Sequence, residues 1–212
     1  MGYLGSVAAA LLFTIATAQA QQAAAKPTRL ALIPTSTTIE ALRGASAPIG
    51  WVDFCGRYAG ECDVETLPAQ NMTLDRKGWT LLNAVNSAVN KDIEPITDEE
   101  HWNVVERWDY PTDGKGDCED FVLEKRRRLI AAGAPRQALL ISVVRDRKGD
   151  GHAVLLVKTD RGDYVLDNQD ERILPWSETG YGFVKRQTQE NPNRWVSLGE
   201  PKPGVVAVGK PR

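Results

Sequence analysis

Histidine, methionine and cysteine are all scarce here, at two, two and three in 212 residues. Two histidines, His101 and His152, leave little choice of imidazole for acid–base chemistry. The cysteines, at 55, 62 and 118, do not have the Cys-x2–4-Cys spacing of a zinc knuckle. No large positive balance exists either: the net charge is −2 and the pI about 5.8, so nothing points to a nucleic-acid partner. Nor does any apolar run reach the ~20 residues that a bilayer span needs.

At 42% hydrophobic and 25% charged residues, the chain suits one globular domain able to bury its own core. The first twenty residues carry no charged side chain, run apolar from Val7 to Ile15, and end in Ala18-Gln19-Ala20. That pattern predicts a signal peptide cleaved after Ala20, and hence a periplasmic or secreted protein. Met1 to Ser6 holds no Lys or Arg, so the α-amino group alone would serve as the positive n-region. Residues 21–28 read as a flexible tail and 29–212 as a single domain.

Export changes how the cysteines are counted. In an oxidising compartment Cys55 and Cys62, close in sequence and separated by Gly56 and Gly60, are expected to form a disulfide. Cys118 is then left unpaired, which marks a reactive thiol. It sits in Gly116-Asp117-Cys118-Glu119-Asp120-Phe121, and the spacing of Phe121, Val122, Leu129 and Ile130 predicts a helix beginning here and stopping at Gly133 and Pro135. A thiol in the first turn would feel the positive end of the helix dipole. The run Lys125-Arg126-Arg127-Arg128 on the same helix reads as a solvated face.

Upstream, Trp79, Leu82, Val85 and Val89 predict a helix over residues 75–90. Thr97-Asp98-Glu99-Glu100 has the form of a capping box, opening a short helix to about Arg107. Downstream, residues 137–144, 151–158 and 163–167 are Val/Leu-rich and predict an antiparallel meander. If the turn at Asp160-Arg161 has an even number of residues, position 154 lies opposite 167 and position 152 is its diagonal neighbour on the same face. His152 and Asp167 then meet. Thiol, imidazole and carboxylate in that order are the parts of a cysteine nucleophile with its base and orienting acid. Asp167 has an alternative reading as a strand-end carboxylate capping a turn with Asn168, and His101 reads as an exposed helical residue.

Asp117, Glu119 and Asp120 crowd the thiol with negative charge and oppose its ionisation. A bound cation would remove the conflict, and calcium suits a set of carboxylates. The alternative is that acids at a helix start complement its dipole. The segment Asp146 to Gly151 lacks a calcium loop's third and twelfth ligands and reads as a hairpin turn.

Gly-Asp-Cys-Glu-Asp, then Gly-His-Ala-Val-Leu-Leu-Val and Tyr-Val-Leu-Asp-Asn, closely resemble the bacterial transglutaminase-like cysteine peptidases, which include the LapG-like periplasmic proteases that trim surface adhesins. The resemblance covers roughly residues 79–195, with Asn83, Asn86, Trp108, Trp176, Tyr181 and Trp195 around the three motifs. It implies an α+β, papain/transglutaminase-like fold with the nucleophile-bearing helix on an antiparallel sheet. It also implies Cys118 as nucleophile, His152 as base, Asp167 as its orienter, and calcium at Asp117 and Glu119 with Asp120 as ligand or support. The implied activity is endopeptidase chemistry through a thioester on a protein or peptide substrate, with an adhesin and an inner-membrane regulatory receptor as candidate partners. The Cys55–Cys62 loop departs from the adhesin-cleaving members, so neither partner carries over with it. The oxyanion would be held by the Cys118 backbone N–H and one further donor, for which Trp108 is a candidate. Two other readings remain: a thiol amidase or transglutaminase acting on cell-wall or protein amides, and a non-catalytic calcium-binding module.

Overall fold

The computed structural model describes residues 1–2 and 33–199. The chain divides into two units between Leu32 and Ile33, and the second is described here. The expected signal peptide and tail lie outside the described residues.

In chain order the elements are β1 (Gly44–Ala45), α1 (Ile49–Arg57), α2 (Ala59–Cys62), α3 (Arg76–Asp92), β2 (Glu94–Pro95), α4 (Asp98–Trp102) and β3 (Lys115–Gly116). There follow α5 (Cys118–Ala131), β4 (Leu139–Arg145), β5 (Gly151–Thr159), β6 (Gly162–Leu166), β7 (Leu174–Pro175), β8 (Gly182–Gln187) and β9 (Trp195–Ser197). Seven strands form one sheet in the order β1-β9-β8-β4-β5-β6-β7, every pair antiparallel, while β2 and β3 make a small parallel pair.

The predicted meander is β4-β5-β6. Its β5–β6 turn is the two residues Asp160-Arg161, and Leu155 pairs with Leu166, so the register runs on toward 154 opposite 167. Alternation along β5 splits the core in two. Ala153, Leu155 and Val157 pack with Val122, Leu123 and Leu129 of α5. Val154 and Leu156 pack on the other face with Val165, Phe183 and Ile39. Both faces are therefore covered, and His152 belongs by alternation to the second. Helix α3 packs on α5 through Val85, Val89, Ile93 and Phe121. It is capped by Asp75, which accepts from the Gly78 amide at 2.7 Å.

Two local expectations are corrected. Helix α4 is capped by Thr97, whose hydroxyl accepts from the Glu100 amide at 2.9 Å, but it ends at Trp102 because Asn103 adopts a left-handed φ of 54°. Lys125 and Arg126 are buried, at 0% and 3% exposure, whereas Arg127 is exposed. Helix α5 is enclosed between α3 and the sheet, so a charge run on it cannot all face water. Arg126 Nε instead donates to the Leu139 carbonyl at 3.2 Å.

Cys55 and Cys62 are bridged, and Cys118 is the free cysteine among the described residues. The Asp146 to Gly151 segment is a hairpin turn, with the Asp146 carboxylate accepting from the Lys148 and Asp150 amides.

Candidate active site

Cys118 is the first residue of α5, and its half-buried side chain opens on a cavity of about 590 Å³ that His152, Asn168 and Gln169 also line. Pro95, Ile96, Thr97, Glu100, Asp146, Lys148 and Asp150 are among the remaining lining residues. His152 is 1% exposed and Asp167 3%, as expected of a strand pair whose outer face is covered. The imidazole Nε2 lies 2.8 Å from Asp167 Oδ1. The remaining carboxylate oxygen accepts from the Tyr181 hydroxyl, and the Gln169 amide donates to Oδ1 at 3.0 Å.

Burial raises the Asp167 pKa, but the bonds from His152, Tyr181 and Gln169 outweigh it and hold the carboxyl below its usual range. With Nε2 engaged, Nδ1 is the nitrogen left for a second partner, and the Gln169 side-chain amide stands 3.4 Å from it.

The thiol is in a different environment. Cys118 Sγ donates to Glu119 Oε2 at 3.0 Å. Burial first, and then the Glu119 and Asp117 carboxylates, push the thiol well above its ordinary pKa. Five acids crowd this end of α5. Burial raises Glu106 to about 8, with Asp117 and Asp98 adding to the rise. Burial and Asp98 raise Asp117 to about 7. Glu119 and Asp120 are raised well above their ordinary values by burial and by Asp117.

Oxygens of Asp117, Glu119 and Cys118's sulfur lie within 4.8 Å of one another, as do oxygens of Asp98, Asp117 and Asp120. Both Asp117 side-chain oxygens, Glu119 Oε1 and Glu106 Oε2 are buried without a hydrogen-bond partner. Buried carboxylate oxygens with no donor are costly, and a set of oxygen ligands suits a hard divalent cation. The donor set therefore fits calcium.

Asp120 has a second occupation. Its Oδ1 accepts from the Asp109 amide at 2.7 Å and its Oδ2 from the Asp117 amide at 3.4 Å. The carboxylate sits so close to Gly116 that an added Cβ would lie 2.5 Å from Oδ2, which requires glycine there. Asp120 thus ties the preceding loop to the helix start.

Trp108 does not offer a free donor: its indole N–H is bonded to Glu106 Oε1 at 2.6 Å, and the ring is buried edge-on to Trp51. His101 pairs with Asp113 at 2.8 Å and is absent from the cavity lining. Sequence reasoning had not singled out Asp98, Glu106 or Gln169 for the site. Tyr181 was noted only as part of the resemblance, and its bond to Asp167 carries no local sequence signal.

A family model described as bacterial transglutaminase-like cysteine proteinase matches residues 41–203. No curated protein matches the chain. Among solved structures, calcium-bound Legionella pneumophila LapG is 23% identical, with a TM-score of 0.50 over 71% of this chain and 90% of that one. Legionella pneumophila LapG in a further structure is 28% identical, with a TM-score of 0.49 over 57% and 70%. The EGTA-treated form is 29% identical, with a TM-score of 0.46 over 51% of this chain and 62% of that chain, so less than two thirds of its length is spanned. The α+β architecture, with helix α5 packed on a mainly antiparallel sheet, is a transglutaminase-like fold.

Proposed function

Since the chain belongs to the bacterial transglutaminase-like cysteine proteinase family and is a cysteine peptidase, we propose that it is a calcium-dependent endopeptidase of the periplasm or cell exterior, with Cys118, His152 and Asp167 as its triad. The observation that carries this reading is the 2.8 Å bond between His152 Nε2 and Asp167 Oδ1 beside a cavity that Cys118 also lines.

Asp167 holds the imidazole by Nε2, so Nδ1 accepts the Cys118 proton. The thiolate attacks the scissile carbonyl carbon, and the oxyanion is held by the Cys118 backbone N–H, one of the amides that a helix start leaves unpaired. Collapse breaks the C–N bond, and the leaving amine takes the proton from His152. A water then gives its proton to Nδ1 and attacks the thioester, releasing the acid and restoring the thiol.

The residues that would hold calcium are Asp117 and Glu119, with Asp98 and Glu106 adding buried oxygens and Asp120 supporting from behind. A cation held by these residues would supply positive charge offsetting the carboxylate field on Cys118. Glu119, which accepts from the Cys118 thiol, is both the thiol's partner and a residue that would hold the ion.

Location outside the cytoplasm is supported by the Cys55–Cys62 bridge and by the leader-like pattern of residues 1–20. No described helix is long and apolar enough to cross a membrane. A protein substrate follows from the family; a surface adhesin as that substrate, and a membrane receptor restraining the enzyme, rest on the resemblance alone.

The test is incubation of the purified protein and its Cys118→Ser variant with extracted cell-surface proteins in calcium, followed by mass spectrometry of new N-termini. New termini made only by the native protein are expected. Released ammonia or cross-links without new termini would move the reading to an amidase or transglutaminase.

A further inference from the structure

Gln169 touches both members of the His152–Asp167 pair. Its backbone N–H donates to Asp167 Oδ1 at 3.0 Å, and its side-chain nitrogen stands 3.4 Å from His152 Nδ1. In the neutral ring the Asp167 carboxylate accepts from the His152 Nε2–H at 2.8 Å, which leaves Nδ1 as an acceptor. The end of the Gln169 amide that can meet an acceptor is its NH2 group. Both bonds of this one residue therefore select the same tautomer, the one whose Nδ1 lone pair is open to a proton from the cleft.

The side chain of Gln169 is exposed, whereas His152 is 1% exposed. Its backbone is fixed all the same. Asn90 Nδ2 of α3 donates to the Asp167 carbonyl at 2.8 Å and Asn86 Nδ2 to the Glu171 carbonyl at 3.0 Å, gripping the chain two residues before Gln169 and two after. The side chain is thereby delivered to the cavity, which it lines with Cys118 and His152. A ring held at one nitrogen can still pivot about that contact. The Tyr181 ring, edge-on to the imidazole with centroids 5.8 Å apart, limits the tilt, and a second bond at Nδ1 fixes the plane. At 3.4 Å that bond is longer than the ~3.0 Å of an ordinary hydrogen bond, so it does not bar the thiol from the same nitrogen. Once Nδ1 carries a proton it needs an acceptor instead. A half turn about χ3, a soft two-fold torsion, brings Oε1 of the same amide to it.

We infer that Gln169 is the positioning residue of the His152 imidazole, fixing the plane of the ring through Nδ1 and giving that nitrogen a partner both before and after it takes the Cys118 proton. This deepens the triad reading above and rests on it. Gln169 acts on the reaction through the ring that it holds.

Two readouts test the inference on Gln169→Met, a change of an exposed side chain that keeps the backbone N–H to Asp167; circular dichroism checks the fold. The first is turnover in calcium of a peptide spanning a cleavage site mapped by its new N-terminus. The variant is expected to lose about tenfold in kcat, the worth of one ordinary hydrogen bond, with KM within about twofold of native. The second is carbon relaxation of labelled histidine, in a Cys118→Ala background where position 118 cannot hold the ring. There are two histidines to tell apart, and His101→Gln identifies the signals of His152. Gln169→Met is expected to lower the order of the His152 ring.

A native kcat, a loss confined to KM, or a His152 ring as ordered as before would overturn the inference; a loss in KM alone would make Gln169 a substrate contact. His152→Ala run alongside separates the two failures. A native protein that cleaves no peptide, or cleavage that survives His152→Ala, sinks the triad reading and this inference with it. Cleavage abolished by His152→Ala and untouched by Gln169→Met sinks this inference alone.

Discussion

The two halves of the site are built on opposite principles. On the strand side every titratable group is answered from within the chain: His152 by Asp167, and Asp167 by Tyr181 and the Gln169 amide as well. At the start of α5, Asp117, Glu119 and Glu106 keep buried oxygens with no partner, and their pKa values are driven upward. The first half is preorganised by folding alone. The second keeps buried carboxylate oxygens that folding leaves without a donor, and on the proposed reading a cation completes it. The Cys118 thiol stands between them and donates its hydrogen bond to the Glu119 carboxylate.

If the halves differ in this way, the strand half breaks only by mutation and no ion repairs it. Asp167→Asn should lower cleavage of a peptide substrate by about 10³- to 10⁴-fold, equally at every calcium concentration, with the fold retained. Calcium-restored activity in that variant would erase the distinction between the halves.

The acid half should reveal itself in stability. Asp117 at about 7 and Glu106 at about 8 are raised in the folded state, so between about pH 4 and those values the unfolded chain loses protons that the native one keeps. Stability of the calcium-free protein should therefore fall as pH rises from 5 to 8, by roughly 1.4 kcal/mol per unit for each carboxyl that stays protonated. Urea melts at several pH values check this, and saturating calcium should flatten the slope. Equal slopes with and without the ion would mean that the acids are not its ligands.

A third region serves as a control. The Cys55–Cys62 bridge closes a short loop, with a sequence separation of 7. Replacing both cysteines by serine should cost about 2 kcal/mol from loop entropy, by the same amount in calcium and in chelator. The smallest effect is expected at Tyr181→Phe, which removes one donor to the Asp167 carboxylate. A loss of about 1.5 kcal/mol and a modest fall in rate should appear, both independent of calcium.

The contrast also explains how far the site could be read in the sequence. The strand half is local: β5 and β6 are joined by the two-residue turn Asp160-Arg161, so period-two alternation brings His152 and Asp167 to one face and needs no knowledge of the rest of the chain. The acid half is assembled over distance. Asp98 arrives on α4 and Glu106 on the loop that follows it, and neither has a spacing relative to Cys118 that marks it. The motif around Cys118 raised a bound cation as one reading, beside acids complementing a helix dipole, and carried no sign of Asp98 or Glu106.

Trp108 illustrates a similar gap, since an indole beside the nucleophile motif can reach either the cleft or a neighbouring acid, and here Glu106 takes it. Lys125 and Arg126 were misread because charge periodicity reports the face of a helix packed on one side, whereas α5 is covered on two. Strands β8 and β9, whose pairing extends the sheet beyond β4, follow irregular loops and lack the even spacing that made the meander visible.

The most direct test of the account is the rate at which iodoacetamide labels Cys118, measured at neutral pH in calcium and again after chelation, with each cysteine mapped by mass spectrometry. Rapid labelling of Cys118 alone in calcium, slowed at least about tenfold on chelation, is the predicted result. Labelling that is slow in both conditions, or equally fast in both, would contradict the claim that the acid half must bind a cation before the thiol can work.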